Sequence, residues 1–473
     1  MQELKVDQKE LEKRVKHVVS LSKEIPWYVR KYKELGIDPD EIRSPQDLLK
    51  AYEKGLYTTP QDLPELVYYK HPEAKGPFYT SGTSGKPKEI WVNPDDEKRF
   101  ILQCAKIYET ASFSKDDRIL NCFPEMPAIS GYGLSTALNA LGYSFIHFSA
   151  QKIGKNVQEF INKFREFKPT GLMGLTTLMY RLPLILQLSD INPKVSGIKT
   201  IITAGEPSSI ERRKRIGEEF GNAKVYDFYG TTENDVIAYE ACPFTDEQLV
   251  TIPETLVFLC GEDKNLVAED EVGDVLVTNL YEVGSKPWNV LINYKIGDCA
   301  KCIEKEDNGI VTSISEIRRE AAYLSGAKLH PQEVEKAIEE LKEYESKLTG
   351  EYLLIDFKTI PRNIIHKLIQ QGIELDEELL EKLRNDPNTY KNWDRKAEVE
   401  IRLESTYNLQ PEKNREISKE VKERLYASNI PVKTLVETVE SARLFIEVED
   451  PGELYKGFRK LIKPGKPKRI IVI

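Results

Sequence analysis

Tyr79-Thr80-Ser81-Gly82-Thr83-Ser84-Gly85-Lys86-Pro87-Lys88 is the stretch on which the reading of this chain turns. Two glycines among hydroxyl side chains make a loop that can lay backbone N–H groups, short Ser/Thr donors and a lysine against a polyphosphate. The Walker loop needs G-x-x-x-x-G-K-[ST]; here Gly82 and Gly85 are three positions apart and Lys86 is followed by Pro87. Taken alone, a run of Ser, Thr and Gly is more often a solvated turn. Its surroundings decide between the two.

Upstream, residues 5 to 35 carry Leu11, Val15, Val18, Val19 and Leu21 on one helical stripe, with Pro26 as punctuation. Downstream, short apolar runs at 118–123, 144–148, 171–175 and 200–204 alternate with amphipathic segments at about 155–167, 176–188 and 208–220. That rhythm predicts right-handed βαβ units in an open, mostly parallel sheet flanked by helices, hence an α/β fold. Ligands of such sheets sit beyond the carboxyl ends of the strands, which places the loop after Thr203 at the site. Between 235 and 315 helical patterning fades, and Gly273–Leu280 with Val290–Tyr294 predicts antiparallel strands of a small β subdomain. After residue 320 charged helices and two or three strands predict a smaller α+β domain, in which 356–393 has few periodic apolar positions and reads as an insertion.

The chain has 473 residues, with 68 Lys and Arg against 77 Asp and Glu, a net charge of −9. Its cations are interspersed with acids, which argues against a nucleic-acid partner. The charged start and the lack of a long apolar run predict neither a secretory leader nor a membrane span, hence a cytoplasmic protein with no membrane partner. Six cysteines in such a chain do not predict a disulfide framework. Cys299-Ala-Lys-Cys302 is half of a structural zinc pattern, but Cys242 and Cys260 are not spaced as a second pair, so free thiols are the better expectation than a Cys242/Cys260/Cys299/Cys302 zinc site. The five scattered histidines support no histidine-based triad or zincin.

Further stations follow the phosphate loop in order: Thr203-Ala204-Gly205-Glu206-Pro207, Tyr226-Asp227-Phe228-Tyr229-Gly230-Thr231-Thr232-Glu233, Tyr294-Lys295-Ile296-Gly297-Asp298, Ser325-Gly326-Ala327-Lys328-Leu329, and Gly465-Lys466-Pro467-Lys468-Arg469. Together they resemble the adenylate-forming superfamily of acyl-CoA synthetases, luciferases and peptide-synthetase adenylation domains. Ile25-Pro26-Trp27-Tyr28, Thr58-Thr59-Pro60-Gln61-Asp62-Leu63 and Ser130-Gly131-Tyr132-Gly133-Leu134 are similar to the phenylacetate-CoA ligase branch. The likeness covers roughly residues 10 to 335 well and the C-terminus poorly. It implies a domain over 1–315, with the β subdomain at about 235–315, and a mobile C-terminal lid domain over 316–473.

The resemblance implies ATP, Mg²⁺ and coenzyme A as cofactors and co-substrates, and a small carboxylic acid as partner; a homodimer is compatible with it. Ser81, Gly82, Thr83, Ser84, Gly85 and Lys86 would hold the β/γ-phosphates. Thr232 would meet the α-phosphate and Glu233 would ligate magnesium, although a Glu after two threonines is commonly just a helix-start acid. Gly205, Glu206, Pro207, Asp227, Phe228, Tyr229, Gly230 and Thr231 would surround the adenine. Tyr229 offers a flat ring, and Asp298 would accept from the ribose hydroxyls. The acid would lie near Phe123, Tyr132, Gly133 and Ala204, where an aromatic cluster reads equally as core. The family's Gly-Arg-x-Asp-Asp hinge motif is absent from 316–320, so Arg318 is a provisional ribose contact. Lys466 best matches the catalytic lysine, with Lys463 and Lys468 as rivals, and Gly326 would line the pantetheine channel.

The expectation is an ATP-dependent acid–thiol ligase that makes an acyl-adenylate and then an acyl-CoA thioester, on an aryl or arylacetic acid. The departures after residue 310 leave two alternatives. One is an adenylate-forming enzyme whose acceptor is an amine, a protein thiol or a deazaflavin cofactor, and the other is a catalytically silent nucleotide-binding scaffold.

Overall fold

The computed structural model describes residues 7–473 except 80–88, 127, 207, 245–247, 262, 319–321, 325–326, 330, 342–346, 358–359, 386–396, 407, 429–431, 434–435, 437–441, 452, 459–469 and 473. The chain divides into two compact units, residues 1–206 with 213–319, and residues 207–212 with 320–473.

The N-terminal unit opens with three helices, α1 (Gln8–Ser22), α2 (Pro26–Leu35) and α3 (Pro45–Glu53). The helical stripe predicted over 5–35 is thus two helices. Pro26 takes the first position of α2, where its missing N–H costs nothing, and Gly36 ends that helix in the left-handed region at φ +61°. Leu11, Val15, Val18 and Val19 on α1 are buried in one cluster with the antiparallel strands described below. The antiparallel pair β1 (Lys75–Tyr79) and β2 (Glu89–Val92) sets Tyr79 opposite Glu89. It brackets residues 80–88.

The principal sheet has eleven strands in the order β10-β11-β12-β13-β9-β8-β7-β6-β5-β3-β4. Its parallel part comprises β3 (Arg118–Asn121), β4 (Ser144–His147), β5 (Gly171–Leu175), β6 (Thr200–Ala204) and β7 (Lys224–Thr231). Successive residues serve opposite faces, so Ile119, Met173, Ile202 and Tyr226 join one core while Leu120, Leu172, Ile201 and Val225 join another. The first core packs on α4 (Pro94–Thr110) and α5 (Ile129–Ala140) through Cys104, Ile107, Tyr108, Leu134 and Leu138. The second packs on α7 (Val157–Phe167), α8 (Thr176–Gln187) and the end of α9 (Ile210–Glu219), which follow the short α6 (Ala150–Lys155). Strands covered on both faces carry unbroken apolar runs, which is why the sequence shows them clearly.

Six antiparallel strands continue the same sheet: β8 (Asp235–Tyr239), β9 (Leu249–Thr251), β10 (Thr255–Cys260), β11 (Val272–Asn279), β12 (Tyr294–Lys305) and β13 (Val311–Arg318). The β region is therefore hydrogen-bonded to the parallel strands through the β7–β8 pair. Val290-Leu291-Ile292-Asn293, expected as a strand, is instead an irregular buried run, and β12 begins at Tyr294. Tyr28 on α2 pairs part of the run's backbone, and the Asn293 side chain pairs carbonyls on and just after α3. Tyr28 Oη donates to Val290 O at 3.0 Å and accepts from Ile292 N at 3.0 Å, and Asn293 Nδ2 donates to Leu48 O and Leu56 O at 2.9 and 3.1 Å.

In the C-terminal unit a hairpin, β14 (Ala322–Leu324) with β15 (Ala327–Leu329), precedes α10 (Pro331–Glu339). A second sheet is ordered β18-β17-β16-β19, from β16 (Leu348–Phe357), β17 (Ala397–Ser405), β18 (Ala442–Glu449) and β19 (Ile470–Val472). Tyr352, Leu354, Val399, Ile401 and Leu403 face α10 and α13 (Pro411–Ser428). Leu353, Ile355 and Phe357 face α11 (Arg362–Gln370) and α12 (Glu377–Asn385). The segment from 356 on, read as poor in apolar periodicity, thus holds two helices with their own core, in which Ile365 and Leu380 are buried and Leu368 and Leu383 lie against them. Each of these helices has only nine residues, too few for a sequence window of the usual length to register the stripe.

Candidate active site

The parallel strands end at Asn121, His147, Leu175, Ala204 and Thr231, and the candidate residues of the N-terminal unit gather along this edge. Gly205, just past β6, has φ +80°, and a Cβ there would stand 3.2 Å from Leu175 Cδ2 at the end of β5. Backbone strain and close approach both require glycine at this point. Glu206 Oε2 accepts from Thr177 N at 2.7 Å, in the first turn of α8, which ties the loop to that helix. Ala204 is buried in the core beneath.

The β7–β8 hairpin carries the densest group. Thr231 pairs with Asp235, so Thr232, Glu233 and Asn234 form a three-residue tip, and Asp235 turns the chain at φ +58°. Gly230 lies so close to the returning strand that a Cβ would fall 2.0 Å from Asp235 O. Asn234 N donates to Thr231 Oγ1 at 3.1 Å, and Thr231 Oγ1 donates to Asn234 Oδ1 at 3.1 Å. The Glu233 carboxylate accepts from Tyr294 Oη at 3.2 Å, and the Glu233 carbonyl accepts from Asn279 Nδ2 at 3.1 Å. The reading of Glu233 as a helix-start acid is replaced by this geometry, because no helix follows it.

Asp298 reaches the same neighbourhood through a bulge. Across β11, Leu276 faces Lys295 and Asp274 faces Cys299, leaving Ile296-Gly297-Asp298 opposite one residue, with Gly297 at φ +93°. The buried Asp298 carboxylate accepts from Tyr229 Oη at 2.6 Å. A ring and a carboxylate 69 positions apart in sequence are thereby coupled.

Asp227 and Phe228 turn elsewhere. The Asp227 carboxylate accepts from Thr203 Oγ1 at 3.0 Å and lies 3.7 Å from Arg213, and burial pushes its carboxyl up to about 7 against the pull of that guanidinium. Phe228 packs on Phe123, centroids 6.2 Å apart, and both are core. Tyr132 is half-buried beside Phe78 at 5.2 Å and donates to Glu97 Oε1 at 3.1 Å; burial and the Glu97 charge push its phenol up to about 12. Gly133 faces α4, where a Cβ would meet the Phe100 ring at 2.6 Å, so this glycine serves helix packing. Arg318 ends β13, and only its backbone is described. Ser81, Gly82, Thr83, Ser84, Gly85, Lys86, Pro207, Gly326 and Lys466 lie outside the described residues.

Two groups behind this edge were missed in the sequence. Arg99 on α4 is buried and paired with Asp235 at 2.9 Å, and nothing but burial distinguishes it from the chain's many exposed arginines. His147 ends β4 with Nε2 2.9 Å from Phe123 O, a place that a scatter of single histidines does not signal. Of the cysteines in the β region, Cys242 is exposed, Cys260 and Cys302 are buried, and Cys299 donates to Asp274 at 3.4 Å. Among the described residues no three His, Cys, Asp or Glu side chains form a metal-binding group.

One carboxylate with neighbouring hydroxyls is a donor set that fits magnesium arriving on phosphate oxygens, since that ion keeps waters and takes few protein ligands. Gly205, Tyr229 and Asp298 supply a close-approach backbone, a π face and a diol acceptor, which fit an adenosine. A cavity of about 280 Å³ lined by Arg118, Phe164, Arg165, Lys168 and Thr170 opens at the other end of the strands, away from these groups. The carboxyl-end rule favours the first location for the ligand.

Residues 70–280 match the family model described as AMP-binding enzyme. The phenylacetate-coenzyme A ligase of Pseudomonas putida is 22% identical over 341 residues, covering 67% of this chain and 72% of that protein. The Escherichia coli enzyme of the same name is 26% identical over 301 residues, 59% of this chain and 63% of its own length. Crystalline 2-hydroxyisobutyryl-CoA ligase, in the postadenylation state with 2-HIB-AMP, superposes with a TM-score of 0.74 at 17% identity, over 98% of this chain and 89% of that one, and so shares the fold. Among the described residues no helix is long and apolar enough to cross a membrane. The segment that matches the AMP-binding enzyme model thus includes the carboxyl edge of the parallel strands and the β7–β8 tip, and over much of its length the chain is similar to phenylacetate-coenzyme A ligases.

Proposed function

We propose that this chain is an AMP-forming acid–CoA ligase that activates an aryl or arylacetic acid with ATP and passes the acyl group to coenzyme A. The observation that carries the reading is the convergence of the Thr231–Asp235 tip with the Tyr229–Asp298 pair at one sheet edge. In the first half-reaction a carboxylate oxygen of the acid bonds to the α-phosphorus of ATP while the bond to the bridging oxygen breaks, and pyrophosphate leaves. In the second, the coenzyme A thiol gives up its proton and its sulfur attacks the acyl carbon, and AMP leaves with the electron pair of the broken C–O bond.

Little covalent work falls to the protein in such a transfer, so positioning and charge placement dominate. Tyr229 and Asp298 would hold the adenosine, with the phenol hydrogen bond fixing the carboxylate for the ribose hydroxyls. Thr232 would donate to the α-phosphate. Glu233 would hold magnesium, which supplies neutralisation of phosphate charge when bound. Ser81, Thr83, Ser84 and Lys86 would grip the outer phosphates, and Lys466 would stabilise the charge that develops at the α-phosphate. The half-buried Tyr132, beside Phe78, would meet the acyl tail and offer an aromatic contact suited to an aryl acid. The two phenylacetate-coenzyme A ligases that it resembles favour the same substrate class.

The test is pyrophosphate release from ATP and Mg²⁺ over a panel of aryl, arylacetic and fatty acids, with and without coenzyme A. Release that depends on one aryl acid, with its CoA thioester as product, is the expected result. Acid-dependent release indifferent to coenzyme A would transfer the proposal to another acceptor, and release with no acid in the panel would overturn it.

A further inference from the structure

Arg99 is a cation only 4% exposed, held from every side. Its guanidinium donates to Asp235 Oδ2 at 2.9 Å, Thr255 Oγ1 at 2.8 Å, Asn279 Oδ1 at 3.1 Å, Glu254 O at 3.2 and 3.3 Å, and Asn234 O at 3.4 Å. Beneath it lies the Tyr281 ring, 5.4 Å away, whose hydroxyl donates to Asp96 Oδ1 at 3.0 Å on the same helix. Asn279, oriented by Arg99 and by Asn234 Nδ2 at 2.9 Å, spends its own Nδ2 on the Glu233 carbonyl at 3.1 Å. One planar fork therefore holds the returning side of the three-residue tip, Asn234 and Asp235 directly, and Glu233 through one amide.

We propose that Arg99, acting through Asn279 on the Glu233 carbonyl, is a positioning residue that fixes the backbone from which the Glu233 carboxylate, itself bonded by Tyr294 Oη, meets magnesium-bound ATP; this rests on reading Glu233 as the metal-facing carboxylate. The charge on Arg99 is balanced by Asp235 rather than by Glu233, so its influence on the tip is geometric. A lysine could not replace it, because a point charge with three donors cannot span Asp235, Thr255, Asn279 and two carbonyls. Left to itself a three-residue tip would sample several backbone conformations, and ordering it at the moment of binding would subtract from affinity. The consequence is confined to the metal. Adenosine contacts at Tyr229 and Asp298 have their own support.

The experiment measures ATP affinity by calorimetry with and without Mg²⁺, and AMP affinity without metal, for the full chain and for Asn279→Ala, Arg99→Lys and Glu233→Gln. Asn279→Ala keeps the Arg99–Asp235 pair, so it folds even where Arg99→Lys does not. Wild type should gain ATP affinity with Mg²⁺ and Glu233→Gln should lose that gain. Asn279→Ala should lose about fivefold of it, the worth of one hydrogen bond, with AMP affinity within about twofold of wild type. If Asn279→Ala lowers the melting temperature but keeps the full magnesium gain, the network is structural only and the proposal is overturned. If Glu233→Gln keeps the gain, the reading of Glu233 falls and the proposal with it. If the gain behaves as expected but no acid is turned over, the positioning role stands and only the ligase reading fails.

Discussion

Replacing Gly230 by alanine tests whether the hairpin tip is as tightly built as its geometry states. A Cβ at 230 would lie 2.0 Å from Asp235 O, 3.0 Å from Asp235 C and 3.3 Å from Val236 Cα. All three are backbone atoms, so no side chain can rotate away, and the strands must part by about 1 Å to reach ordinary contact. That displacement undoes the Gly230–Val236 and Thr231–Asp235 pairings. Two such pairings at about 1 kcal/mol each, with the strain of whatever remains, give an expected loss of about 2–4 kcal/mol. The control is Gly297→Ala, where φ is +93° but nothing lies within 4 Å, so only the conformational cost of about 1–2 kcal/mol applies. Denaturant unfolding gives both losses, and AMP titration gives the effect on the site, which for Gly230→Ala should be at least about tenfold, about 1.4 kcal/mol. If Gly230→Ala costs no more than Gly297→Ala and binds AMP as wild type does, the hairpin is not the rigid platform inferred from its contacts.

Tyr229→Phe removes the 2.6 Å bond to a buried carboxylate while keeping the ring. AMP affinity should fall about tenfold with the fold intact, checked by calorimetry beside circular dichroism. Phe357→Ala, at a fully buried ring between β16 and the α11–α12 pair, should destabilise the C-terminal unit by about 3–5 kcal/mol, and a loss under 1 kcal/mol would deny that these helices share its core. A pH effect resides in Glu400, which is fully buried: burial would raise its carboxyl, but the hydrogen bond with His366 and the charges of Arg402 and Arg362 outweigh this and bring it down to about 2. A carboxyl lowered on folding stabilises above its unfolded value near 4.5, and this contribution, about 3 kcal/mol, is lost as pH falls toward 2. Glu400→Gln should flatten the acid limb of the stability profile measured between pH 5 and about pH 2.

Four of the five parallel strands of the large sheet were legible in the sequence, because buried strands carry short apolar runs and the helices between them carry one apolar stripe. Residues 118–121, 144–147, 171–175 and 200–204 fall inside the runs read as strands. Tyr229, Glu233 and Asp298 stood out as candidates because they sit in contiguous motifs, on β7, at the tip after it and on β12. The reading of 290–293 as a strand failed, because there the backbone of Val290 and Ile292 bonds to the Tyr28 hydroxyl and the Asn293 side-chain amide bonds to Leu48 O on α3. The α11–α12 pair escaped because nine-residue helices give too short a stripe.

Tertiary structure alone decided what joins these motifs. The Tyr229–Asp298 bond spans 69 residues and the Arg99–Asp235 pair spans 136, and no local pattern encodes a contact at such separation. It also separated glycines of like appearance. Gly205 and Gly230 are demanded at the edge of the site, whereas Gly133 is needed where a helix meets Phe100. Periodicity records which face of an element is dry, and a motif records which chemistry is at hand. The distance between two motifs is set only when the sheet has closed on its helices.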